Sequence, residues 1–413
     1  MEYGLLGKKL IYSFSPMIHK YFGDCEYELV ECSEEDIRLI LSGKKFKGLN
    51  ITNPYKIMAK EYCDKLDESA RKTGCVNTIV NKNGSLYGYN TDYYGFLHMI
   101  KKIKSIKKES PFSIIGSGAT ARMSKVVLED LECQSIKIIS REDIKNHNIE
   151  ELIKDTEILI NCTPIGVYPL VDESFPVEIK KLIKLKHVID LNYNPLNTRL
   201  MIEANELGCK ANSGLSMLVA QGKKAAEIFL SKKIDDSLID EVERKIRKRL
   251  LNIVLIGMPG SGKTVIGREL AHRINREFVD IDNCIENLHK MTIQKIIEKN
   301  GIRFFRELEK EVVREELLSF SKVFSTGGGV IEDRENWRYL KYNSQVIYIE
   351  RDLDQLDTKG RPLSQGGIDR LNNIYEKRNP IYKKLSDYRV KNNKSLLETV
   401  EEIVKVYEKN FSY

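Results

Sequence analysis

Residues 252–264 read Asn-Ile-Val-Leu-Ile-Gly-Met-Pro-Gly-Ser-Gly-Lys-Thr. The apolar run 252–256 predicts a buried strand, and residues 265–274 have the spacing of an amphipathic helix. The pattern GxxxxGK[ST] lies between them, and its glycines let successive backbone N–H groups point at phosphate oxygens. We therefore predict a phosphate-binding loop, with the lysine on the phosphates and the threonine hydroxyl on Mg²⁺. The predicted binding residues are Gly260, Ser261, Gly262, Lys263 and Thr264.

Two carboxylates follow in the next apolar run. Residues 278–282, Phe-Val-Asp-Ile-Asp, predict a strand that places Asp280 and Asp282 on one face, because side chains two apart in a strand point the same way. One carboxylate would hold Mg²⁺ through water, and the other would accept a proton from a substrate hydroxyl. The alternative is a helix cap before Asn283.

A second glycine turn, 327–329, follows the predicted strand 322–325. Three glycines let a backbone approach a ligand closely, although a plain turn explains them equally well. Nearby arginines would clamp phosphates and a carboxylate through two-pronged hydrogen bonds, whereas a single arginine more often lies on the surface or in a structural ion pair. The three candidates are Arg306, Arg361 and Arg378.

The motifs GMPGSGKT, FVDID, FRELE, TGGG, GRPL and RNPIY, in this order and spacing, resemble shikimate kinase. The resemblance covers residues 251–413 and implies a P-loop kinase of the nucleoside-monophosphate-kinase fold with a parallel sheet. It implies ATP and Mg²⁺ as cofactors, Asp282 and Lys263 as catalytic residues, Asp280 near Mg²⁺ and Arg361 on ATP from a mobile lid. The shikimate-binding residues that it implies are Asp282, Arg306, Gly328 and Arg378.

The lid departs from that family. Residues 351–361 are short and acidic, where relatives carry more basic character. This leaves an alternative in which the P-loop region is a catalytically weak, nucleotide-sensing module attached to a quinate/shikimate dehydrogenase.

The first half of the chain carries a different pattern. Strand-like runs separated by helical stretches predict a parallel, doubly wound sheet; they lie at 112–115, 136–139, 158–162 and 188–191. The turn Gly116-Ser117-Gly118-Ala119 after the first run is of the dinucleotide-binding type. Ser140 and Arg141 end the second run, where a hydroxyl and an arginine suit the 2′-phosphate of NADP, but Glu142 keeps NAD open.

Polar clusters lie at turns before residue 95. They are Ser13–Pro16, Asn50–Lys56, Gly74–Thr78 and Gly88–Asp92. Such positions often form sites. Each also has a structural explanation: the first and last clusters could cap the helices that follow, and Lys56 could be solvated.

Together with NCTPIG at 161–166, DLNYNPLNT at 190–198 and SGLSML at 213–218, these clusters resemble shikimate dehydrogenase over residues 3–233. The resemblance implies Lys56 and Asp92 as the catalytic pair and NADP(H) as cofactor. The substrate residues that it implies are Ser13, Ser15, Asn50, Thr52, Asn77, Asp92, Tyr193 and Gln221. The cofactor residues that it implies are Gly116, Gly118, Ala119, Ser140, Arg141, Thr163, Leu191 and Gly214. A positioned ammonium such as Lys56 suits ketone reduction, because it stabilises the oxygen charge and donates a proton.

The chain has 413 residues and a net charge of +7, from 67 Lys and Arg against 60 Asp and Glu. Basic and acidic residues alternate, and the run 241–250 has apolar residues at helical spacing, so we expect a solvated helix face and no nucleic acid. We expect no membrane segment, since no apolar run reaches the ~18 residues that one needs. Eight cysteines and six histidines lack metal-ligand spacing. These features predict a cytoplasmic protein with small anionic substrates and leave a homo-oligomer open.

Both resemblances predict an α/β protein: a two-lobed dehydrogenase with a Rossmann-type NADP-binding lobe, followed by a P-loop kinase domain. The expected division is a substrate-binding lobe at 1–95 completed by 213–234, an NADP-binding lobe at 96–212, a linker at 235–250 and a kinase domain at 251–413. The two halves would act in turn in chorismate and aromatic amino-acid biosynthesis, on 3-dehydroshikimate and then on shikimate. Preference for quinate or NAD remains the alternative in the first half.

Overall fold

A computed structural model of the chain describes residues 1–11, 13–23, 26–356, 367–409 and 411. The contacts between residues divide the chain into two compact units. The first unit comprises Met1–Asn194 and Thr198–Ile246, and the second comprises Pro195–Asn197 and Arg247–Tyr413. The main division falls within a helix at Ser237–Leu250, in the stretch that the sequence marks as a linker.

β-Sheets form the centre of both units. The strands are β1 (Tyr3–Gly7), β2 (Tyr27–Glu31), β3 (Gly48–Ile51), β4 (Lys65–Leu66), β5 (Thr78–Lys82), β6 (Ser85–Tyr89), β7 (Phe112–Ile115), β8 (Ile136–Ile139), β9 (Ile158–Asn161), β10 (His187–Asp190), β11 (Lys210–Ser213), β12 (Asn252–Ile256), β13 (Glu277–Asp280), β14 (Lys322–Ser325), β15 (Ser344–Glu350) and β16 (Tyr388–Lys391).

Helices cover the sheets. They are α1 (Ser15–Phe22), α2 (Glu34–Gly43), α3 (Glu68–Thr73), α4 (Thr91–Lys102), α5 (Ala119–Asp130), α6 (Arg141–Asn146), α7 (Ile149–Leu152), α8 (Arg199–Glu206), α9 (Leu215–Leu230), α10 (Ser237–Leu250), α11 (Lys263–Arg273), α12 (Ile281–His289), α13 (Ile293–Leu317), α14 (Arg334–Tyr342), α15 (Gly367–Leu385) and α16 (Leu396–Lys409). Short 3₁₀ turns lie at Met58–Tyr62, Ile179–Lys181 and Leu353–Gln355.

The first unit contains two sheets. A mixed sheet has the order β2-β1-β3-β5-β6-β4, and a fully parallel sheet has the order β11-β10-β9-β7-β8. In the parallel sheet β7 lies between β8 and β9, so the chain winds in opposite directions from this point. Ligands of doubly wound sheets bind outside the carboxyl ends of the strands at such a switch point. The glycine turn at 116–119 follows β7 directly, and the predicted Rossmann-type lobe is confirmed.

Two helices connect the sheets of the first unit. Phe96 and Met99 of α4 join the apolar core of the parallel sheet, together with Met217 of α9. The other end of α9 packs Phe229 against Val80 of the mixed sheet. The residues that begin α4 and those along α9 are therefore fixed between the two sheets.

The second unit is built on one parallel sheet, with the order β13-β14-β12-β15-β16. The central strand β12 is buried along its whole length and ends at the loop 257–262. The predicted parallel sheet of a P-loop kinase is confirmed. Within the described residues, no helix combines the length and the apolar character that crossing a bilayer requires.

The helix N-termini differ in how they are capped. Many are capped by a side chain, such as Ser33 at α2, Asn90 at α4 and Thr198 at α8. Three begin instead at a glycine, which has no side chain to form a cap: Gly118 at α5, Gly214 at α9 and Gly262 at α11. The first N–H groups of a helix lack partners inside it, so the ends of α5 and α11 keep donors available for an anionic ligand, whereas at α9 the Ser213 hydroxyl accepts the N–H of Leu215 at 3.3 Å.

The predicted common strand face of Asp280 and Asp282 is wrong. Strand β13 ends at Asp280, whose carboxylate accepts a hydrogen bond from the N–H of Asn283 at 3.3 Å and caps α12. Asp282 therefore lies in the first turn of this helix. The local cap ends the strand, as the alternative interpretation of this motif expects.

Two candidate active sites

The first site centres on an ion pair. Lys56 lies in the turn after β3, and Asp92 lies in the first turn of α4, where Asn90 caps the helix. The Lys56 Nζ donates to Asp92 Oδ2 at 2.7 Å, and the two side chains are only 13% and 16% exposed. Burial by itself lowers the pKa of Lys56, but the charge and hydrogen bond of Asp92 outweigh it, so this pKa is raised. Lys56 is thus a charged, oriented proton donor.

A buried hydrogen-bond network adjoins this pair. The Oδ1 atom of Asn77 accepts from the N–H of Thr91 at 2.7 Å, and the Thr91 hydroxyl donates to Gln221 Oε1 at 3.2 Å. Thr91 is the residue before Asp92, so the network ties the start of α4 to Asn77, which precedes β5, and to Gln221 of α9. Asn77 and Gln221 are thereby brought into one site.

The side-chain amide of Asn50 makes four polar contacts. Its Nδ2 donates to Thr78 Oγ1 at 2.9 Å and to the carbonyl oxygen of Asn77 at 3.3 Å. Its Oδ1 accepts from the hydroxyl of Tyr27 at 2.7 Å and lies 3.2 Å from His19 Nε2. Burial lowers the pKa of His19 to about 4, so its ring is neutral at physiological pH. A neutral His19 can hold Asn50 without adding charge to an anion-binding site.

The two serines of the first cluster lie together. The Ser13 hydroxyl donates to Ser15 Oγ at 3.1 Å, while Phe14, the residue that precedes α1, makes no side-chain cap. The Ser13 hydroxyl also accepts the N–H of Ser15, the first residue of α1, at 3.3 Å, so the predicted alternative in which this cluster caps the helix is met in part. The ring of Phe14 lies 5.6 Å from that of Tyr193. Burial and the charge of Asp92 raise the pKa of Tyr193.

Thr52 is positioned differently from the other substrate candidates. It follows β3, and its backbone N–H donates to the carbonyl oxygen of Leu6 at 2.9 Å. Within the described ranges, no side-chain hydrogen bond links it to the other candidates. Its role in substrate binding stays a prediction.

The glycine turn after β7 has the geometry of a cradle. Gly116 has φ of +118°, a conformation that L side chains rarely adopt. A Cβ on Gly118 would meet no atom within 4 Å, so open space lies beside this turn and the start of α5 at Ala119. Gly214 lies between β11 and α9, and a Cβ on it would overlap the carbonyl oxygen of Leu191. These features fit a dinucleotide that lies close to the backbone.

The remaining cofactor candidates surround the ends of the strands. The Thr163 hydroxyl donates to Asn161 Oδ1 at 2.7 Å, directly after β9. The Ser140 hydroxyl is engaged in a capping box with Asp143 at the start of α6. Arg141, the next residue, is exposed. Of the two residues expected on a 2′-phosphate, Arg141 is thus the one with its side chain in solvent.

Asp190 is a buried anchor at the end of β10. Its carboxylate accepts from the Thr198 hydroxyl at 2.6 Å and from Asn161 Nδ2 at 3.0 Å. Burial raises its pKa to about 7. This carboxylate fixes the loop that carries Leu191 and Tyr193, and so connects the cofactor side of the cleft with the substrate side.

The second site is a cavity of about 730 Å³ at the end of β12. Nine of the predicted residues line it: Gly260, Gly262, Lys263, Thr264, Asp280, Asp282, Arg306, Gly328 and Arg378. Ser261 is fully buried and is absent from this lining. Arg361 lies outside the described residues, so its predicted contact with ATP stays a prediction.

The loop residues of this cavity fit a phosphate and a divalent cation. Lys263 Nζ donates to the carbonyl oxygens of Gly257 and Met258, both at 2.9 Å, and so is directed into its own loop. The Thr264 hydroxyl donates to Asp280 Oδ2 at 2.8 Å. A hydroxyl and a carboxylate are oxygen ligands of the kind that Mg²⁺ prefers. These residues could hold Mg²⁺ next to a bound triphosphate.

Two buried acids, Asp282 and Glu309, also line this cavity. Burial and the charge of Asp280 raise the pKa of Asp282 to about 6. Burial also raises the pKa of Glu309 to about 7, although it pairs with Arg306 at 2.7 Å. Oδ1 of Asp282 and Oε1 of Glu309 have no hydrogen-bond partner within the described residues. An Asp282 oxygen is therefore available to accept a proton from a ligand.

The glycine turn packs against these acids. A Cβ on Gly327 would lie 2.8 Å from both Asp282 Oδ1 and Glu309 Oε1, and a Cβ on Gly329 would overlap the Arg306 guanidinium. The carbonyl oxygen of Gly328 accepts a hydrogen bond from the Tyr382 hydroxyl. Glycine is required here because charged side chains approach the backbone closely, so the turn belongs to the site.

Comparison with known proteins identifies the first unit. This chain is 37% identical over 268 residues to shikimate dehydrogenase (NADP(+)) of Clostridium perfringens, which covers 60% of this chain and 98% of that protein. The shikimate dehydrogenase (NADP(+)) of Methanococcus maripaludis is 33% identical, and the match covers 59% of this chain and 97% of that protein. The chain belongs to the shikimate dehydrogenase family. The model of the shikimate dehydrogenase substrate binding domain matches residues 5–79.

Solved structures of shikimate dehydrogenases agree with this membership. A chorismate mutase/shikimate 5-dehydrogenase fusion protein from Clostridium acetobutylicum gives a TM-score of 0.52 at 33% identity, over 59% of this chain and 96% of that one. The structure of shikimate 5-dehydrogenase from Thermus thermophilus in complex with NADP(H) and shikimate gives a TM-score of 0.53 at 26% identity. The match covers 59% of this chain and 99% of that one.

The second unit carries another family model. The model of shikimate kinase matches residues 259–408. The chain therefore joins a shikimate dehydrogenase to a shikimate kinase domain, and both resemblances predicted from the sequence are confirmed.

Several residues of the two sites were not singled out from the sequence. In the shikimate dehydrogenase unit they are His19 and Tyr27, which no local pattern marks; Thr78 and Thr91 lie in the predicted polar clusters, but the sequence gives them no role of their own. In the kinase domain they are Glu309 and Glu332. Glu309 follows Arg306 by three residues, the spacing of a helical ion pair, and this signal could have indicated it. No local pattern marks Glu332, because its partners lie 26 and 46 residues away.

Proposed function

We propose that the chain catalyses two consecutive steps of chorismate and aromatic amino-acid biosynthesis. The first unit reduces 3-dehydroshikimate to shikimate with NADPH. The second unit transfers a phosphoryl group from ATP to the 3-hydroxyl of shikimate, which gives shikimate 3-phosphate. The observation that carries the proposal is the presence of both sites on one chain, since the product of one is the substrate of the other.

In the first step Lys56 acts on the carbonyl oxygen. NADPH, when bound along the 116–119 turn, supplies the hydride for the carbonyl carbon. The Lys56 ammonium stabilises the negative charge that develops on the oxygen and donates a proton to it. Asp92 orients the ammonium through the 2.7 Å hydrogen bond and maintains its charge. The raised pKa of Lys56 supports a proton donor that stays charged through neutral pH.

The substrate groups have matching partners in the first unit. The serine hydroxyls of Ser13 and Ser15 are suited to a carboxylate, to which each can donate one hydrogen bond. Asn77 and Gln221 carry amides that can bind the ring hydroxyls, and Tyr193 adds a phenol close to Asp92. The Asn50 amide already makes four polar contacts within the protein, to His19, Tyr27, Asn77 and Thr78, so its contribution is to fix the wall of the substrate site.

In the second step Asp282 accepts the proton of the attacking hydroxyl. ATP with Mg²⁺, when bound at the P-loop, supplies the phosphoryl group. Lys263 and the backbone N–H groups of the loop hold the phosphates, and Thr264 and Asp280 hold the cation. Arg306 and Arg378 bind the carboxylate of shikimate, which orients the hydroxyl toward Asp282.

Separate assays of the full chain test the two halves. With 3-dehydroshikimate and NADPH, absorbance at the NADPH band should fall and shikimate should form; with shikimate and ATP–Mg²⁺, shikimate 3-phosphate should form. Replacing shikimate by quinate and NADP by NAD in the reverse oxidation should lower the rate. An Arg141→Ala variant should lose preference for NADP over NAD, and an unchanged preference would refute the proposed 2′-phosphate contact. Failure of either main reaction removes that half of the proposal.

A further inference from the structure

One carboxylate joins the two arginines of the kinase cavity. Glu332 Oε1 accepts from Nε and Nη2 of Arg378 at 3.0 and 2.8 Å, and Glu332 Oε2 accepts from Arg306 Nη2 at 2.8 Å. Two N–H donors of Arg378 converge on one oxygen of Glu332, while the other oxygen meets Arg306, so the carboxylate bridges the two guanidinium groups. Glu332 thus makes the contacts that a carboxylate ligand of these arginines would make.

The two arginines are not equally dependent on Glu332. Arg306 also pairs with Glu309 at 2.7 Å, and Glu309 is fully buried. Glu332, in contrast, is 45% exposed and lies in the turn between the 327–329 glycines and α14. The exposed Glu332 side chain can rotate into solvent, whereas the buried Glu309 cannot, but Arg378 is only 6% exposed and then needs another anionic partner. Glu332 is therefore the replaceable partner in this cluster.

We propose that Glu332 is an internal competitor for the carboxylate of the substrate. It neutralises Arg306 and Arg378 while the cavity holds no substrate, and it swings out when the carboxylate of shikimate takes its place. The inference rests on the proposed function of the second unit, which makes these arginines the substrate clamp. A ligand without a negative charge does not displace Glu332, so the residue also selects for anionic substrates.

The Glu332→Gln variant tests this role. Removal of the charge weakens the competitor, so the KM of the full chain for shikimate should fall about three- to tenfold, as expected for loss of a partly exposed ion pair. The kcat and the KM for ATP should stay within twofold. Glu332→Asp, whose shorter side chain reaches only one arginine at a time, should lie between wild type and Glu332→Gln. Glu335→Gln is the matched control, since Glu335 is exposed and lies near Lys310 outside the clamp.

Calorimetric binding of shikimate provides a readout that does not depend on turnover. The dissociation constant should fall with the KM in Glu332→Gln. If Glu332 instead serves to position the two arginines, Glu332→Gln raises the KM and the dissociation constant for shikimate and lowers kcat. That result overturns the inference, and so do an unchanged KM and dissociation constant. If the wild-type chain neither binds nor phosphorylates shikimate, the proposed kinase function itself fails and the inference falls with it. Wild-type activity therefore separates the two failures.

Discussion

Lys56 Nζ lies 2.7 Å from Asp92 Oδ2, although the residues belong to different elements, 36 positions apart. Asp92 is fixed by the cap of α4 at Asn90 and by the network through Thr91. The α4 helix in turn packs between the two sheets of the first unit. Lys56, the proposed proton donor, is therefore positioned through the packing of α4, and its substitution should affect one reaction of the chain and leave the other unchanged.

The first prediction concerns this pair. Lys56→Met should lower the rate of NADPH oxidation with 3-dehydroshikimate by about 10²-fold or more, because it removes the proton donor. Phosphorylation of shikimate by the same sample should be unchanged. Lys47→Met is a suitable control, since Lys47 pairs with Glu2 on the surface. An active Lys56→Met variant would exclude the proposed mechanism.

The second prediction compares two glycines that precede helices, Gly118 before α5 and Gly214 before α9. Gly118→Ala places a methyl group in open space and should leave the unfolding temperature unchanged, while the KM for NADPH rises because the methyl occupies the cofactor cradle. Gly214→Ala forces a methyl against the Leu191 carbonyl and should destabilise the first unit by about 2 kcal/mol or more. Thermal unfolding and NADPH titration measure both effects. Equal effects of the two variants on stability would contradict the described backbone approach.

The third prediction is a pH dependence of stability. Because burial raises the pKa of Asp190 to about 7, the folded chain binds this proton more tightly than the unfolded chain. The contribution of Asp190 to the free energy of unfolding is therefore greatest below its unfolded pKa and falls as pH rises toward 7. Between pH 4 and 8 the stability of Asp190→Asn relative to wild type should increase by on the order of 4 kcal/mol.

Denaturant unfolding at several pH values measures this change. Asp155→Asn provides a control of opposite sign, because the hydrogen bond to Lys184 lowers the pKa of Asp155 at the surface. Asp155→Asn should slightly lower the free energy of unfolding at pH values above the ordinary carboxyl pKa. It should have no such effect at pH values below the pKa of Asp155 in the folded chain. A pH-independent difference between wild type and Asp190→Asn would contradict the burial of an ionisable Asp190.

The fourth prediction concerns a buried lysine on α9. Lys223 is 2% exposed and pairs with Glu227 and Asp236, both at 2.6 Å. Lys223→Met should destabilise the first unit by about 3 kcal/mol, because Glu227 loses a buried partner. Lys224→Met is the matched control: Lys224 pairs with the same Glu227 but is 41% exposed, so its loss should cost less than about 1 kcal/mol. Chemical denaturation of both variants checks the difference, and similar losses would argue against a buried ion pair.

Much of the architecture could be predicted because its signals are local. The strand before Gly257 and the helix after Thr264 are both marked by short apolar patterns, and β7 with its glycine turn is marked in the same way. The parallel sheets follow from the alternation of such strands with helices. These features depend on a few adjacent residues, which a single sequence displays.

Contacts between distant residues could not be predicted in this way. Glu332 meets Arg378 only because the turn before α14 and the helix α15 converge on one cavity, and His19 meets Asn50 through the packing of α1 on the mixed sheet. Asp282 was assigned to a strand face because the apolar alternation continues through Ile281, whereas the capping hydrogen bond of Asp280 starts a helix there. In these cases tertiary contacts or a competing local hydrogen bond decide the structure.

One coupled reaction tests the central claim most directly. The full chain is incubated with 3-dehydroshikimate, NADPH, ATP and Mg²⁺, and the products are identified by mass spectrometry, with Lys56→Met and Lys263→Met assayed in parallel. The wild type should form shikimate 3-phosphate only when both NADPH and ATP are present, and Lys263→Met should accumulate shikimate. Accumulation of shikimate by the wild type in the presence of ATP, or shikimate 3-phosphate formation by Lys56→Met at the wild-type rate, would contradict the account.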